Sequence, residues 1–108
     1  KDNFTIMKEE PFGPLVPILT FKNFDEVIER ANDNDLGLCS YLYTNSMDKA
    51  HIGSEKLESG CVAVNTGVVA LAEAPFGGIK QTGYGREGGS GAIKDYLNVK
   101  YTHMGLKI

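Results

Sequence analysis

The sequence predicts an α/β fold in which short strands and helices alternate around a parallel sheet. Three apolar segments of strand length lie at 15–21, 38–44 and 61–65, and two stretches with helical spacing of apolar residues separate them. Short connections between alternating strands and helices favour parallel strands with right-handed crossovers. The chain of 108 residues fits one small domain with little margin for burying a core.

The first strand and helix are predicted from residues 15–37. The segment LVPILTF at 15–21 carries apolar side chains on both alternating faces, as in a strand that is covered on both sides. Asn23 is a candidate N-cap, with Glu26 three residues later in the spacing of a capping box. Gly37 is the predicted stop of this helix.

The second strand, LCSYLYT at 38–44, is rich in β-favouring aromatic residues. Asn45 or Ser46 can cap the helix that follows, and Gly60 is its predicted end. The third strand is CVAVN at 61–65, which completes a parallel three-strand core. The inner face of the second helix is predicted to comprise Met47, Ala50, Ser54 and Leu57.

The remainder of the chain changes character after residue 65. Residues 66–91 form a glycine-rich loop region, and a short helix is predicted near 92–96. The segment LNVKYTHMG alternates between two faces and predicts a half-exposed strand at the chain end. We therefore divide the chain into a main part, 1–96, and a terminal strand with its tail, 97–108.

Composition and charge narrow the function classes. The net charge of −3 comes without a cluster of lysine or arginine, which argues against nucleic acid or a membrane surface as partner. No apolar run is long enough to span a bilayer. Cys39 and Cys61 are too few for a disulfide framework, so a reducing, cytoplasmic setting is expected. The chain opens with Lys1 rather than Met, and we expect it to be part of something longer.

Several residues that could carry chemistry are better explained structurally. The run Gly83–Gly88 matches GxGxxG, but no buried strand precedes it, so a loop that needs positive φ angles is favoured over a nucleotide site. Cys39 and Cys61 each lie in an apolar strand without a neighbouring base, which favours buried structural thiols. His51 and His103 stand alone, so no metal site is predicted.

Two unusual stretches remain. In EEPFGP at 9–14, a carboxylate and an aromatic ring share a segment stiffened by two prolines. Such a pair could bind a ribose diol and a flat ring, or it could be a solvated glutamate beside a core phenylalanine. In APFGG at 74–78, an aromatic side chain is held between a proline and two glycines. That geometry suits a pocket wall or a plain loop anchor, and the residues alone leave both alternatives open.

Taken together and in this order, the motifs resemble the C-terminal portion of the aldehyde dehydrogenase superfamily. The resemblance covers essentially the whole chain and is closest to the succinate-semialdehyde dehydrogenase branch. It rests on EEPFGP at 9–14, FDEVIERAND at 24–33, LGLCSYLYT at 36–44, VAVNTG at 62–67, APFGGIKQTGYGREGG at 74–89 and DYLNVKY at 95–101.

The resemblance implies a role for particular residues. Glu10 should accept hydrogen bonds from the nicotinamide ribose of NAD or NADP, and Phe12 should pack beside the nicotinamide ring. The loop 68–71, with Val69 and Ala70, should line the aldehyde entry pocket together with Phe76. These groups should converge on one cleft that absent domains complete. Residues 97–104 should join an oligomerisation sheet, as in a homodimer or homotetramer, which would also cover an otherwise exposed strand edge.

The same resemblance implies an enzyme whose nucleophile lies outside this chain. The family uses a cysteine in a Gly-Gln-x-Cys context, a glutamate base and an asparagine near the oxyanion, and none of these motifs occurs here. Relatives that bind succinate semialdehyde usually carry serine where Ala70 stands. Glutarate or 2-oxoglutarate semialdehyde is therefore an alternative substrate. A non-catalytic oligomerisation module that keeps the scaffold is an alternative from another class.

Overall fold

The computed structural model describes residues 4–107, and its outline is elongated. The radius of gyration is 19.4 Å and the extents are 74 × 33 × 24 Å, whereas a compact domain of this length has a radius of gyration of about 13 Å. Residues 8–21 and 93–107 are exposed along their whole length. The packed part of the chain therefore lies between these two arms.

Helix α1, Phe24–Asn32, begins at the predicted cap. The Asn23 side chain accepts a hydrogen bond from the Glu26 amide at 2.9 Å. Glu26 Oε2 accepts in turn from the Lys22 amide at 2.8 Å, so the reciprocal bond of the capping box forms one residue earlier than in the standard arrangement. The predicted stop at Gly37 is wrong, because the helix ends at Asn32.

Strand β1, Leu36–Gly37, begins after a short turn and pairs antiparallel with β4, Ile79–Lys80. The sequence did not predict these two-residue strands. Gly37 is needed for close approach here rather than for helix termination, because a Cβ at this position would lie 2.8 Å from the Glu58 carbonyl oxygen.

A parallel β-α-β unit forms the centre of the molecule. Strand β2, Cys39–Leu42, leads into helix α2, Met47–Lys56, and then into strand β3, Cys61–Val64. The two strands pair in parallel from Cys39 opposite Cys61 to Leu42 opposite Val64. Of the two predicted caps, Ser46 is the one used, since its side chain accepts from the Lys49 amide at 3.3 Å. The α/β class is confirmed by this unit.

The inner face of α2 differs from the predicted one. Met47 is 82% exposed and Ser54 is also exposed. Ala50 and Leu57 are half-buried, as predicted, but the buried residue of the helix is Gly53. A Cβ on Gly53 would lie 2.5 Å from Leu42 Cδ2. The absence of a side chain therefore brings the helix close to the sheet. Helix α2 ends at Lys56, before the predicted stop at Gly60.

Lys80 joins α1 to the start of β3. Its ammonium group donates to the carbonyls of Asn32 and Asn34 at 2.9 Å each, and it lies 2.6 Å from Glu58 Oε2. The lysine thus satisfies a carbonyl at the C-terminal end of α1, where cations are favoured. Its φ of 56° is unusual for a residue other than glycine.

The predicted strand at 15–21 is not formed within the described residues. Val16 and Ile18 are 82% and 85% exposed, and no described strand lies beside this segment to share backbone hydrogen bonds. The predicted parallel three-strand core is therefore reduced here to the pair β2–β3. Apolar character alone cannot make a strand, because the backbone also needs a neighbour.

The terminal segment 97–104 is likewise no strand within the chain as described. Leu97 has extended dihedral angles, φ −116° and ψ 144°. Val99 and Tyr101, predicted to share one face, are 101% and 85% exposed. The helix predicted just before this segment is confirmed as a 3-10 helix, Ala92–Tyr96. None of the helices in residues 4–107 combines the length and apolar character needed to cross a membrane.

Candidate functional site

The segment that carries Glu10 lines a hollow beside β1 and β2. A 3-10 helix, Thr5–Met7, turns the chain, and the Glu9 amide donates to the Thr5 carbonyl at 2.9 Å. Glu10 follows directly and is exposed. Within residues 4–107 its carboxylate accepts no hydrogen bond from the protein, so both oxygens are available to a ligand. The hollow is lined by residues 6–11, 36–40, Ala31, Asn34, Ser59 and Thr82.

The Phe12 side chain is almost fully exposed in the described part of the chain. Its side chain is 95% exposed, between Pro11 and Pro14, and it does not line the hollow beside Glu10. The Gly13 amide donates to the Pro11 carbonyl at 3.1 Å, which holds the bend around the ring. A fully exposed phenylalanine ring has a large apolar surface to bury against another group.

Phe76 lies in a second hollow and is fixed from two sides. Its backbone exchanges two hydrogen bonds of 2.7 Å with Glu87. Arg86 Nη1 donates to the carbonyls of Gly78 and Gly85 at 2.8 and 2.7 Å, which ties the two sides of the loop together. Asp95 Oδ2 accepts from the Arg86 amide at 3.2 Å. The sequence did not predict a role for Arg86. Its hydrogen-bond partners are backbone carbonyls, so no side-chain pattern in the sequence indicates them.

The glycine run has the geometry that was predicted from its sequence. Gly83, Gly85 and Gly88 have φ angles of 112°, 91° and 66°. The run follows a two-residue strand and leads to no α-helix within the described residues, so it lacks the strand–turn–helix context of a dinucleotide site. The interpretation as a loop requiring positive φ is confirmed, and the chain folds back on itself around Phe76 there.

Glu10 and Phe76 do not line one hollow. The Glu10 hollow and the Phe76 hollow are separate, and they share only Leu38 and Thr82 as lining residues. The single cleft predicted from the sequence is therefore not formed by residues 4–107 alone. The two hollows are nevertheless neighbours, because Thr82 Oγ1 accepts from the Gly37 amide at 2.8 Å and so joins the two regions.

Val69 and Ala70 lie in the loop after β3 and line neither of these hollows. Val69 is half-buried and Ala70 is exposed. The loop departs from β3 at Asn65, whose side chain bonds both the amide and the carbonyl of Thr44 at 2.9 Å. Asn65 also has a φ of 56°, a conformation that asparagine adopts more readily than most residues. The sequence interpretation missed this anchor.

The two cysteines are half-exposed rather than buried, which corrects the prediction. They face each other across β2 and β3. Burial, the charge of Cys61 and a hydrogen bond with its thiol together raise the pKa of Cys39, so this thiol is a poor nucleophile at neutral pH. Among residues 4–107 no three His, Cys, Asp or Glu side chains are placed to hold a metal ion.

A sequence profile described as "Aldehyde dehydrogenase family" matches residues 1–102. The chain belongs to the aldehyde dehydrogenase family. The match includes the Glu10 segment and the Phe76 loop. It confirms the resemblance to aldehyde dehydrogenases that was inferred from the motifs. Individual relatives of this aldehyde dehydrogenase chain differ in the substrate that their names give.

Three relatives illustrate that range. The chain is 46% identical over 104 residues to the Escherichia coli succinate-semialdehyde dehydrogenase [NADP(+)] GabD, covering 96% of this chain and 22% of that protein. It is 46% identical over 103 residues to a glutarate-semialdehyde dehydrogenase of Pseudomonas aeruginosa, covering 95% and 21%. It is 52% identical over 99 residues to retinaldehyde dehydrogenase 3 of Rattus norvegicus, covering 92% and 19%.

The fold agrees with that of a solved family structure. The crystal structure of an E. coli NADP-dependent enzyme matches with a TM-score of 0.93 and 45% identity, over 98% of this chain and 22% of that one. The chain thus spans about a fifth of the length of the relatives that it matches.

Proposed function

We propose that this chain forms one wall of the active site of an NAD- or NADP-dependent aldehyde dehydrogenase whose substrate is a carboxylate-bearing semialdehyde. The observation that carries the proposal is the placement of Glu10 and Phe76 in adjoining hollows that meet at Leu38 and Thr82. Residues outside this chain would complete the cleft and supply the cysteine nucleophile. Family chemistry joins that thiolate to the aldehyde carbon and ends with hydrolysis of a thioester.

The Glu10 segment fits a nicotinamide cofactor. Its carboxylate has no protein partner among residues 4–107, and two carboxylate oxygens can accept from the two hydroxyls of a ribose. Phe12, two residues later and 95% exposed, offers an apolar face to a planar ring. A nicotinamide cofactor held here would supply the hydride acceptor for the substrate carbon. The role of this chain would be to hold the ribose and the ring in position.

The Phe76 loop fits the aldehyde side of the site. The two backbone bonds to Glu87 and the bonds from Arg86 hold the backbone that carries Phe76 in place before any ligand binds. Such preorganisation lowers the entropic cost of positioning a substrate. Val69 and Ala70 would approach this pocket from the loop after β3.

The substrate is proposed from the semialdehyde relatives and from Ala70. Succinate semialdehyde is the first choice, since one such relative is 46% identical. Ala70 has no hydroxyl for a distal carboxylate, which supports glutarate or 2-oxoglutarate semialdehyde as the alternative. A glutarate-semialdehyde relative has the same identity.

The exposed arm at the chain end supports assembly into a homo-oligomer. Val99 and Tyr101 expose nearly their whole side chains, and residues 97–104 show no strand partner within the described chain. We propose that this edge pairs with another subunit, as a dimer or tetramer of the enzyme. The two free thiols fit the reducing cytoplasm as its location.

The test is a substrate profile of the full-length protein that contains this chain. The kcat/KM values for the semialdehydes of succinate, glutarate and 2-oxoglutarate are compared with that for butanal, which lacks the carboxylate. The proposal expects reduction of NAD or NADP and a clear preference for one of the three acids. An equal or higher value for butanal would refute the substrate class. No reduction with any aldehyde would favour a non-catalytic module.

A further inference from the structure

Cys39 and Cys61 form a pair of thiols in register across two parallel strands. Cys39 lies directly opposite Cys61 in the pairing of β2 with β3, so both side chains leave the same face of the sheet. Neighbouring strands are about 4.8 Å apart, which lies inside the range of about 4.4–6.8 Å between the Cα atoms of a disulfide. The backbone is therefore already spaced for a covalent bond between the two residues.

A small oxidant can reach both sulfurs. Neither cysteine is fully buried, and Cys39 lines the open hollow beside residues 6–11. Cys61 Sγ is 3.8 Å from the Gly77 carbonyl, a weak contact that an oxidised sulfur can give up at little cost. The aldehyde chemistry proposed above uses neither thiol.

We propose that Cys39 and Cys61 are a modification site, at which hydrogen peroxide forms a reversible disulfide between β2 and β3. One thiolate attacks a peroxide oxygen, the O–O bond breaks, and a sulfenic acid and hydroxide form; the hydroxide takes up a proton to become water. The second sulfur then attacks the sulfenic sulfur and releases a second water. Two thiols are oxidised by two electrons in total, and one peroxide is reduced to two waters. A dithiol reductant reverses the bond by exchange.

The test is peptide mapping of the native full-length protein treated with hydrogen peroxide. Free thiols are then alkylated, and the protein is digested with trypsin without reduction. Cleavage after Arg30, Lys49, Lys56 and Lys80 leaves the two cysteines in separate peptides, 31–49 and 57–80. We expect a linked pair that is two hydrogens lighter than the sum of the peptides and that disappears on reduction. Recovery of both peptides unlinked, or linked only to other cysteines, would overturn the proposal.

A matched variant tests whether the two cysteines must lie on the same face of the sheet or need only be close in space. In Cys61→Ser combined with Val62→Cys, the protein keeps the same number of thiols but the second one leaves the opposite face of β3. The linked peptide should be lost, and equal linking in this variant would contradict the proposal.

A second measurement needs no mutation. Phenylarsine oxide, whose arsenic bridges two neighbouring thiols, should protect both peptides of the native protein from alkylation. Full alkylation of Cys39 and Cys61 in its presence would also overturn the proposal. Neither the peptide map nor the protection by phenylarsine oxide depends on enzyme activity. A negative result in either would therefore be distinguishable from a failure of the proposed function.

Discussion

Replacing Gly60 with alanine should damage the site through backbone contact. A Cβ on Gly60 would lie 1.8 Å from the Gly77 carbonyl oxygen, 2.8 Å from its carbon and 2.9 Å from Gly78 Cα. These atoms all belong to the backbone, so no rotamer change relieves the overlap. Gly60 is also held in place, because its amide donates to the Gly37 carbonyl at 3.0 Å.

The size of the effect follows from the displacement that is needed. The Gly77 oxygen must recede by at least about 1 Å to reach even a tight contact, and overpacking of this kind costs about 1–3 kcal/mol or more. The displaced segment carries Phe76. A shift of about 1 Å near reacting groups can lower the rate by on the order of 100-fold. We expect Gly60→Ala to reduce kcat/KM of the full-length enzyme by about 10- to 100-fold and to lower its melting temperature.

Gly91→Ala is the matched control. No atom lies within 4 Å of a Cβ at Gly91, and its φ of −85° is open to alanine. Steady-state kinetics and thermal unfolding of both variants are measured side by side. Equal kinetics and equal melting temperatures for Gly60→Ala and Gly91→Ala would contradict a backbone clash at Gly60.

Three further predictions concern stability, specificity and pH. Lys80→Met should lower the free energy of unfolding by about 1–3 kcal/mol in denaturant titrations, because it removes charged hydrogen bonds to two carbonyls, whereas Lys100→Met on the exposed arm should change little. Ala70→Ser should raise kcat/KM for succinate semialdehyde by about tenfold or more, since a hydrogen bond to a charged group contributes about 1.5–3 kcal/mol; no response with any tested semialdehyde would show that Ala70 is not near the substrate. The pKa of the Cys39 thiol is raised in the folded state, so the folded protein holds the thiol proton more tightly than the unfolded chain does. The contribution of this thiol to the free energy of unfolding is complete below its unfolded-state pKa and is lost as pH rises through its folded-state pKa. Denaturant titrations across alkaline pH should show a decline in stability that is smaller in Cys39→Ser.

Local signals predicted the centre of the fold well. Asn23 and Ser46 cap the two helices as their hydrogen-bonding side chains predict, and alternation of strands and helices produced the parallel β2–β3 pair. The two caps depend on residues only three positions apart, and the two strands are joined by one helix with short connections. Gly53 was missed because its burial depends on how closely Leu42 on another element approaches.

The features that the sequence did not specify involve partners that are distant in sequence or outside the described residues. Residues 15–21 and 97–104 have the apolar pattern of strands, yet no described strand lies beside them. The pairing of β1 with β4 joins residues more than forty positions apart and depends on glycines that permit close backbone contact. A two-residue strand carries too little periodicity to be recognised from sequence.

Sequence motifs identified the residues of the site, but they could not predict how these residues are arranged in space. EEPFGP and APFGG stand out in the sequence, whereas the division into two hollows with Leu38 and Thr82 between them depends on tertiary contacts. The Arg86 clamp and the Asn65 anchor act through backbone groups. Such contacts leave no pattern that identifies their partners in advance.

The most direct test of the account compares Glu10→Gln with Glu9→Gln in the full-length enzyme. The two glutamates are adjacent and both are exposed, but only Glu10 is proposed to bind the cofactor ribose. Cofactor dissociation constants and single-turnover rates of hydride transfer are measured for each variant. We predict that Glu10→Gln weakens cofactor binding or slows hydride transfer by about tenfold or more, while Glu9→Gln behaves like the unmodified enzyme. Unchanged binding and unchanged hydride transfer in Glu10→Gln would contradict the account.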